Sequence, residues 1–263
     1  MKIKKENYKL NPRGKLIKNT FIIIFFIFLW CSPSFTETIH ETINIASGTE
    51  YETPVTIIKT GIKKPVAMII SGTHGNEPAG IAAGKILEEE INIKRGTLLI
   101  LPQANILACQ NKTRNYPQGI NLNRVYPGNQ QGNMVEVIAA EIYNLMKLYD
   151  IDLLLDLHES REFYKINPLN YGQTLVLDCF EDTFMKICLS VAGKLNEKIV
   201  KSIEKYEVFA KPIEGSATYA ASCLLKIPAI TFETCKKLSL QRRIEMQKQF
   251  VKLVLAEFNF FMD

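Results

Sequence analysis

The chain is poor in histidine and tryptophan, with three and one of these residues among 263. Its six cysteines include no Cys-x-x-Cys pair, so a cysteine-based zinc knuckle is excluded. No repeat, low-complexity stretch or linker interrupts the sequence after residue 36. A repeat protein is therefore excluded, and the rest of the chain is long enough for one domain with a sizeable core.

A basic surface is also missing from most of the chain. The first twenty residues hold seven of the basic side chains and one acid, Glu6, a local charge of +6 against +5 for the whole chain. The remainder is therefore near neutral, at about −1. Nothing is left to attract a nucleic acid, and we expect no such partner.

The basic segment is followed by an apolar run of ten residues, Phe21–Trp30. This run is too short for a spanning helix, which needs about 20 residues, and fits the core of an export signal. Cys31-Ser32-Pro33-Ser34 would supply the cleavage site, before Phe35. We expect residues 1–34 to be a signal peptide, with an uncleaved membrane anchor as the alternative, and residues 36–263 to form an exported domain, periplasmic or secreted.

Export would place the domain in an oxidising compartment, where cysteines can pair. The sequence assigns no pairing, and we expect mostly buried free thiols. The cysteines that would remain are Cys109, Cys179, Cys188, Cys223 and Cys235.

Short apolar runs alternate with longer stretches of helical period, which predicts a single α/β domain. We expect a mostly parallel, twisted sheet with helices on both faces. The predicted strands are Val66–Ile70, Thr97–Leu101, Leu153–Leu157 and Ala229–Phe232. The predicted helices are Pro78–Ile91, Met134–Leu148, Thr183–Ile199, Ser216–Leu225 and Leu240–Phe260.

Two of the three histidines lie directly after predicted strands. His74 and Glu77 follow the first strand in Gly72-Thr73-His74-Gly75-Asn76-Glu77, and His158 closes Asp156-Leu157-His158. Two imidazoles and a carboxylate form an open catalytic zinc shell that leaves a position for water. We therefore predict one zinc ion, held by His74, Glu77 and His158.

A further carboxylate, Glu233, follows the strand that begins at Ala229. Ligands of such sheets collect at the carboxyl ends of the strands, so Glu233 is the candidate general base. Glu159 should point away from His158, because adjacent strand residues face opposite sides. Asp156 shares the face of His158 and could support that ligand.

The segment 113–128 is a polar loop rich in glycine, proline and asparagine, the usual place for binding residues. It contains Arg114 and Arg124, whose guanidinium groups can grip a carboxylate or stabilise an oxyanion.

Four motifs occur in one order: Gly-Thr-His74-Gly-Asn-Glu77-Pro, Gly119-Ile-Asn-Leu-Asn123-Arg124-Val-Tyr-Pro-Gly128, Asp-Leu-His158 and Thr-Phe-Glu233. Together they resemble the succinylglutamate desuccinylase/aspartoacylase family, a branch of the zinc carboxypeptidase superfamily. The resemblance implies a zinc-carboxypeptidase-like fold, with zinc bound by His74, Glu77 and His158 and with Glu233 as the base. By the same resemblance, Asn123 and Arg124 would bind a substrate carboxylate and Arg114 would polarise the scissile carbonyl.

The sequence departs from the family in two respects. Cytosolic members carry a C-terminal β-rich domain that shapes the acyl pocket, whereas about thirty residues follow Glu233 here and are predicted to form one helix. Those members also lack an export signal. Family carboxypeptidases place a tyrosine shortly before the base, and Tyr219 lies in that region.

The leading hypothesis is a zinc-dependent hydrolase that cleaves an amide bond next to a free carboxylate, as an N-acyl amino acid deacylase or desuccinylase does. An exported metallocarboxypeptidase or amidase acting on cell-wall or other peptides is the alternative. A zinc- or ligand-binding protein without turnover is the alternative of another class. In each catalytic case the partner is a small acyl-amino acid or peptide, and any membrane contact is made through the N-terminal segment alone.

Overall fold

Eight strands form one sheet in the computed structural model, which describes residues 38–117 and 119–262. The strands are β1 (Ile39–Ile45), β2 (Thr53–Lys59), β3 (Val66–Ser71), β4 (Thr97–Leu101), β5 (Leu153–Ser160), β6 (Thr174–Leu177), β7 (Glu207–Ala210) and β8 (Ala229–Cys235). Their order across the sheet is β1-β2-β4-β3-β5-β8-β6-β7.

The centre of the sheet is parallel and the flanks are mixed. The parallel pairs are β4 with β3, β3 with β5, β5 with β8, and β6 with β7. The pairs β1 with β2, β2 with β4 and β6 with β8 are antiparallel. The register opposes His158 and Glu233 on neighbouring parallel strands. Both side chains therefore come to the same edge of the sheet.

The described residues also form six α-helices: α1 (Pro78–Glu90), α2 (Ile106–Asn111), α3 (Met134–Leu148), α4 (Asp182–Asn196), α5 (Ala217–Tyr219) and, after the last strand, α6 (Leu240–Glu257). Proline opens α1, where its missing N–H costs nothing. Asn133 and Glu136 cap α3 through reciprocal hydrogen bonds. A π-helical turn, Ala220–Leu224, continues α5.

Alternate residues of the central strands supply two separate hydrophobic cores. Ala67 and Ile69 pack with α1, α4 and α6 on one face of the sheet. Met68 and Ile70 pack with α3, α5 and α2 on the other face. Helices therefore cover both faces, which explains why these strands are apolar throughout rather than alternating.

The predicted fold class is confirmed. All four predicted strands and all five predicted helical segments are present, within a few residues of their predicted ends. The strands β1, β2, β6 and β7 were missed. β1 is largely exposed and does not form an apolar run, whereas β6 and β7 have four residues each. Strand patterns of that length carry little periodic signal.

The export signal predicted for residues 1–34 lies outside the described residues. Within the described part, no helix has the length and apolar character needed to cross a membrane.

Cys109, Cys188 and Cys235 are buried free thiols, as expected, but Cys179 and Cys223 form a disulfide that the sequence did not reveal.

Candidate active site

The turn after β3 brings His74 and Glu77 to the carboxyl edge of the sheet. Gly72 begins this turn with φ at +65°, and a Cβ atom there would lie 2.6 Å from the carbonyl oxygen of Pro102. Only glycine combines that backbone angle with so close an approach. The glycine therefore directs the chain, so that the two polar side chains return towards β5.

His74, Glu77 and His158 converge into one buried group. Each has a ligand atom within 4.8 Å of the others, and the residues are only 2–3% exposed. Glu77 Oε1 lies 2.9 Å from His74 Nδ1, and Glu77 Oε2 lies 2.9 Å from His158 Nδ1. The three side chains predicted to be ligands therefore meet, and both imidazoles present their Nδ1 atom.

The buried Nδ1 atom of His74 has no hydrogen-bond partner among the described residues, although Glu77 is close. Two imidazole nitrogens and a carboxylate surround one point, and one of the nitrogens lacks a hydrogen-bond partner. Such a donor set fits a divalent transition metal. The residues present thus fit a metal ion.

The opposite nitrogen of each ring is held by a second polar side chain. His158 Nε2 lies 2.9 Å from Asp156 Oδ2, and His74 Nε2 lies 3.0 Å from Asn121 Oδ1. An acceptor at Nε2 fixes the proton on that atom and leaves Nδ1 free to bind a cation. The supporting position expected for Asp156 is therefore occupied, and Asn121 is a partner that the sequence analysis missed.

The pKa values of these three residues reflect a carboxylate that lies between two imidazoles. Burial alone would raise the pKa of Glu77, but His74 and His158 hold that pKa well below its usual range. Burial lowers the pKa of His74. Burial opposes the charging of His158 as well, yet Asp156 and Glu77 raise its pKa well above the usual range. Glu77 is therefore held ionised by the two imidazoles, and His158 rather than His74 is the ring whose charged form is favoured.

Glu233 opposes His158 in the strand register. Its Oε2 atom is buried and has no hydrogen-bond partner among the described residues. Burial raises the pKa of Glu233 to about 8. A carboxyl with an unengaged oxygen and a pKa near neutrality can both accept and donate a proton.

Glu159 is engaged elsewhere, as its position on the strand predicted. Its Oε2 atom accepts a hydrogen bond from the backbone N–H of Ala79, in the first turn of α1, at 2.8 Å. Its other oxygen pairs with Arg243 of α6. Glu159 therefore fastens two helices to β5.

The polar loop forms irregular backbone around a short 3-10 turn, Leu122–Arg124. Asn123 is buried, with its Nδ2 atom 3.3 Å from His158 Nε2 and its Oδ1 atom accepting from the N–H of Ala217 at 2.9 Å. Arg124 is exposed and donates to the carbonyl oxygen of Asn123 at 2.5 Å. Arg114 Nη1 lies 3.1 Å from Glu77 Oε1. The loop thus brings Asn123 and Arg114 to the group, whereas Arg124 has no contact with it among the described hydrogen bonds.

A cleft of about 290 Å³ opens beside Glu77 and Glu233. Its walls include Arg114, Arg161 and Lys236. Arg161 and Lys236 were not singled out from the sequence. Arg161 lies three positions after His158, and Lys236 lies three positions after Glu233. This shared spacing on two parallel strands is the signal that could have identified both residues.

Residues 213–219, which lead into α5 and form it, lie along one side of the polar loop and are called the α5 segment. Tyr126 N–H donates to the carbonyl oxygen of Gly215 at 3.0 Å, and Asp178 Oδ1 accepts from the N–H of Ile213 at 2.6 Å. The disulfide between Cys179 and Cys223 joins the end of β6 to the π-helical turn. Tyr219 lies between these attachments, in α5.

Comparison with known proteins finds both a matching family model and a relative in sequence. The family model described as the Succinylglutamate desuccinylase/Aspartoacylase catalytic domain matches residues 63–255. An N-alpha-acetyl-L-2,4-diaminobutyric acid deacetylase of Halomonas elongata is 34% identical over 128 residues, which cover 48% of this chain and 36% of that protein.

Solved structures share the fold at lower identity. A Helicobacter pylori structure, the mDAP-bound form of the D,L-carboxypeptidase Csd4, has a TM-score of 0.67 at 19% identity, covering 74% of this chain and 51% of that one. A succinylglutamate desuccinylase from Silicibacter has a TM-score of 0.66 at 20% identity, covering 86% and 68%. The chain spans about a third of the Halomonas protein and about half of the Helicobacter one.

Proposed function

The chain belongs to the succinylglutamate desuccinylase/aspartoacylase family, and from this premise we propose that it is a zinc-dependent hydrolase of amide bonds next to a free carboxylate. The observation that carries the proposal is the buried convergence of His74, Glu77 and His158 within 4.8 Å, beside an unengaged Glu233 oxygen. These are the ligands and the base that such a hydrolysis requires.

A bound zinc ion would supply Lewis acidity, polarising a water molecule and the substrate carbonyl oxygen. Glu233 would take a proton from the water as the water oxygen bonds to the carbonyl carbon, and would give it to the nitrogen as the carbon–nitrogen bond breaks. A pKa of about 8 suits a carboxyl that both accepts and donates a proton. Arg114 lies at the metal-binding group and is half exposed to the cleft. Its guanidinium stabilises the charge that develops on the carbonyl oxygen.

The requirement for a substrate carboxylate rests on Arg124 and Asn123. Arg124 is exposed on the 3-10 turn, and its guanidinium donates to the carbonyl oxygen of Asn123. The arginine ion pairs of the described residues involve Arg114, Arg242 and Arg243, so Arg124 has no carboxylate partner within 4.0 Å among them. A substrate carboxylate would supply the missing counter-charge through two parallel hydrogen bonds.

Export of this domain is part of the proposal. The disulfide between Cys179 and Cys223 supports it, because disulfides persist in oxidising compartments. The basic and apolar segment before Phe35 would direct the export or, if uncleaved, anchor the chain.

A second candidate is a carboxypeptidase or amidase acting on cell-wall or other peptides. The fold similarity to a D,L-carboxypeptidase favours it. Both candidates use the same zinc site and base, and they differ in the size of the group on the acyl side.

The experiment is hydrolysis of a panel of N-acyl amino acids and muropeptides by the full-length, zinc-loaded protein. We expect at least one class to be cleaved with release of a free amine, and Glu233→Gln to abolish most of that release. Preferred cleavage of the N-acyl amino acids supports the deacylase, whereas preferred cleavage of muropeptides supports the second candidate. Cleavage of neither, with zinc bound, would leave a binding protein without turnover.

A further inference from the structure

The last helix, α6, carries two buried polar side chains that face the strand ends. Arg243 is almost fully buried and Gln247 is fully buried. Four residues separate them, so both lie on the same face of the helix. Burying a guanidinium or an amide is costly unless the group is paired, so the partners of these two side chains indicate their role.

Gln247 contacts both strands that deliver site residues. Its Nε2 atom donates to the carbonyl oxygen of His158 and to Thr234 Oγ1, each at 3.0 Å. His158 is a proposed zinc ligand on β5, and Thr234 follows the proposed base Glu233 on β8. One amide of α6 therefore holds the ends of β5 and β8 at the positions of the ligand and the base.

Arg243 acts on the helix that begins at Glu77. Its Nε atom donates to the carbonyl oxygen of Leu238 at 3.1 Å, and its Nη1 atom pairs with Glu159. The fully buried carboxylate of Glu159 also accepts a hydrogen bond from the N–H of Ala79 at 2.8 Å. Ala79 lies in the first turn of α1, and Glu77 is the N-terminal cap residue of that helix. The ion pair therefore fixes the start of α1 two residues after the proposed ligand.

The backbone of Glu159 contacts the same ligand directly. Its N–H donates to Glu77 Oε2 at 3.0 Å, and this oxygen also lies 2.9 Å from His158 Nδ1. Glu159 thus holds Glu77 in two ways, since its backbone binds the carboxylate and its side chain binds the helix that carries it. Arg243 in turn holds the side chain of Glu159.

We propose that Arg243 and Gln247 are positioning residues that set the metal affinity of the site, Arg243 through Glu159 and Glu77, and Gln247 through the backbone of His158. The inference rests on the proposed function for the identity of the metal. A buried ion pair contributes little net stability, because desolvation offsets the attraction. Groups that orient metal ligands, by contrast, change metal affinity about 10- to 100-fold when they are replaced. The signature of the role is therefore a loss of zinc affinity that does not follow the free energy of unfolding.

Calorimetry with zinc chloride and the chelator-stripped, full-length protein measures zinc affinity without turnover. We expect Arg243→Met and Gln247→Leu each to weaken zinc binding about 10- to 100-fold. Arg243→Lys keeps a cation beside Glu159 and should recover most of the affinity. If both Arg243→Met and Gln247→Leu bound zinc as tightly as the wild type, the proposal would be wrong.

Arg242→Met and Gln249→Leu are the matched controls. Both residues are exposed on α6, and Arg242 pairs with Glu204 rather than with a residue of the site. The two controls should bind zinc like the wild type. Losses in the controls as large as those in Arg243→Met and Gln247→Leu would contradict the proposal, because any change on α6 would then have the same effect.

A charge-balanced variant separates positioning from folding. Arg243→Met alone leaves Glu159 buried without its cation, which lowers the free energy of unfolding. Glu159→Gln/Arg243→Met removes both charges, so urea unfolding of the metal-free protein should return close to that of the wild type. Zinc binding should stay weak, because no group of α6 then holds residue 159. Recovery of zinc affinity together with stability would show that the pair acts on folding alone and would overturn the role of Arg243.

Cobalt(II) bound in place of zinc reports ligand geometry through its visible absorption. The spectrum should differ from that of the wild type in Arg243→Met and Gln247→Leu, and should be unchanged in Arg242→Met and Gln249→Leu. Wild-type spectra in all four variants would argue against the positioning of the ligands by α6.

The positioning role and the proposed function fail separately. If the wild type binds zinc but hydrolyses no amide, the proposed function is wrong, while weakened binding in Arg243→Met and Gln247→Leu still supports the positioning role. Hydrolysis combined with zinc affinities that neither substitution changes contradicts the positioning role alone. A wild type that binds no zinc contradicts both.

Discussion

The group of His74, Glu77 and His158 and the cleft beside it are held in different ways. His74, Glu77 and His158 are almost fully buried, and Asn121 or Asp156 supports each imidazole from behind. By contrast, the side chain of Arg114 is 48% exposed, and Arg161 and Lys236 have no carboxylate partner among the described residues. The first region is held by buried contacts at the strand ends, whereas the second is more exposed and only partly paired. The fold therefore fixes the residues of the proposed chemistry more tightly than those that would select a substrate.

The largest effect should follow from breaking the buried group. His158→Ala removes one of the three proposed zinc ligands, and three ligands are the minimum for a tight catalytic site, so we expect loss of bound zinc and of detectable hydrolysis. Metal analysis and an activity assay check this outcome. His40→Ala is the matched control, because His40 is the third histidine of the chain and is exposed on β1. Stoichiometric zinc in His158→Ala would contradict the ligand assignment.

Removing the base should cost less than removing the metal. Glu233→Gln keeps the shape of the side chain, so we expect zinc to be retained while kcat falls at least about 100-fold, the usual scale of general acid–base help. Glu245→Gln, an exposed carboxylate of α6, should have no effect. If Glu233→Gln stayed active, the assignment of Glu233 as the base would be wrong.

The effect of replacing Arg124 should depend on whether the substrate carries a free carboxylate. Arg124→Lys conserves charge but not the two-pronged geometry, so we expect kcat/KM to fall roughly 10-fold, within the range for a charged hydrogen bond. The fall should largely vanish with esters or amides of the same substrates, which offer no carboxylate. An equal loss on both forms would mean that Arg124 supports the loop instead.

The smallest effect on activity should come from the disulfide. Reducing the bond between Cys179 and Cys223 opens a loop closed over 44 residues and should lower the free energy of unfolding by about 2 to 4 kcal/mol. Hydrolysis should fall only a few fold, because Asn123 and Tyr126 still bond to the α5 segment. Urea unfolding and kinetics of Cys179→Ser/Cys223→Ser measure the two effects. A loss of activity as large as that of Arg124→Lys would place the disulfide among the essential attachments of the site.

The contrast between the buried strand ends and the more exposed cleft also explains which residues could be predicted from the sequence. Strands buried on both faces are continuous apolar runs, so β3, β4, β5 and β8 and the polar residues at their ends stand out. His74, Glu77, His158 and Glu233 could be located because they follow those runs. The roles of these residues and of Arg114, Asn123 and Arg124 remain predictions.

Features that depend on contacts between distant segments could not be predicted. The partnership of Asn121 with His74 joins a loop to a strand end 47 residues away. The disulfide pairs two cysteines that only the fold brings together. The edge strands β1 and β7 are short or exposed, so their pairing depends on neighbours rather than on their own pattern.

The central claim, that one buried metal ion makes this site a hydrolase, is tested most directly by titrating zinc into the chelator-stripped protein. Hydrolysis of the best N-acyl amino acid or peptide substrate should be absent from the stripped protein. It should rise linearly with added zinc and reach its plateau at one equivalent per chain, with no recovery in His158→Ala. Full activity in the stripped protein, or a plateau that His158→Ala also reaches, would contradict the claim.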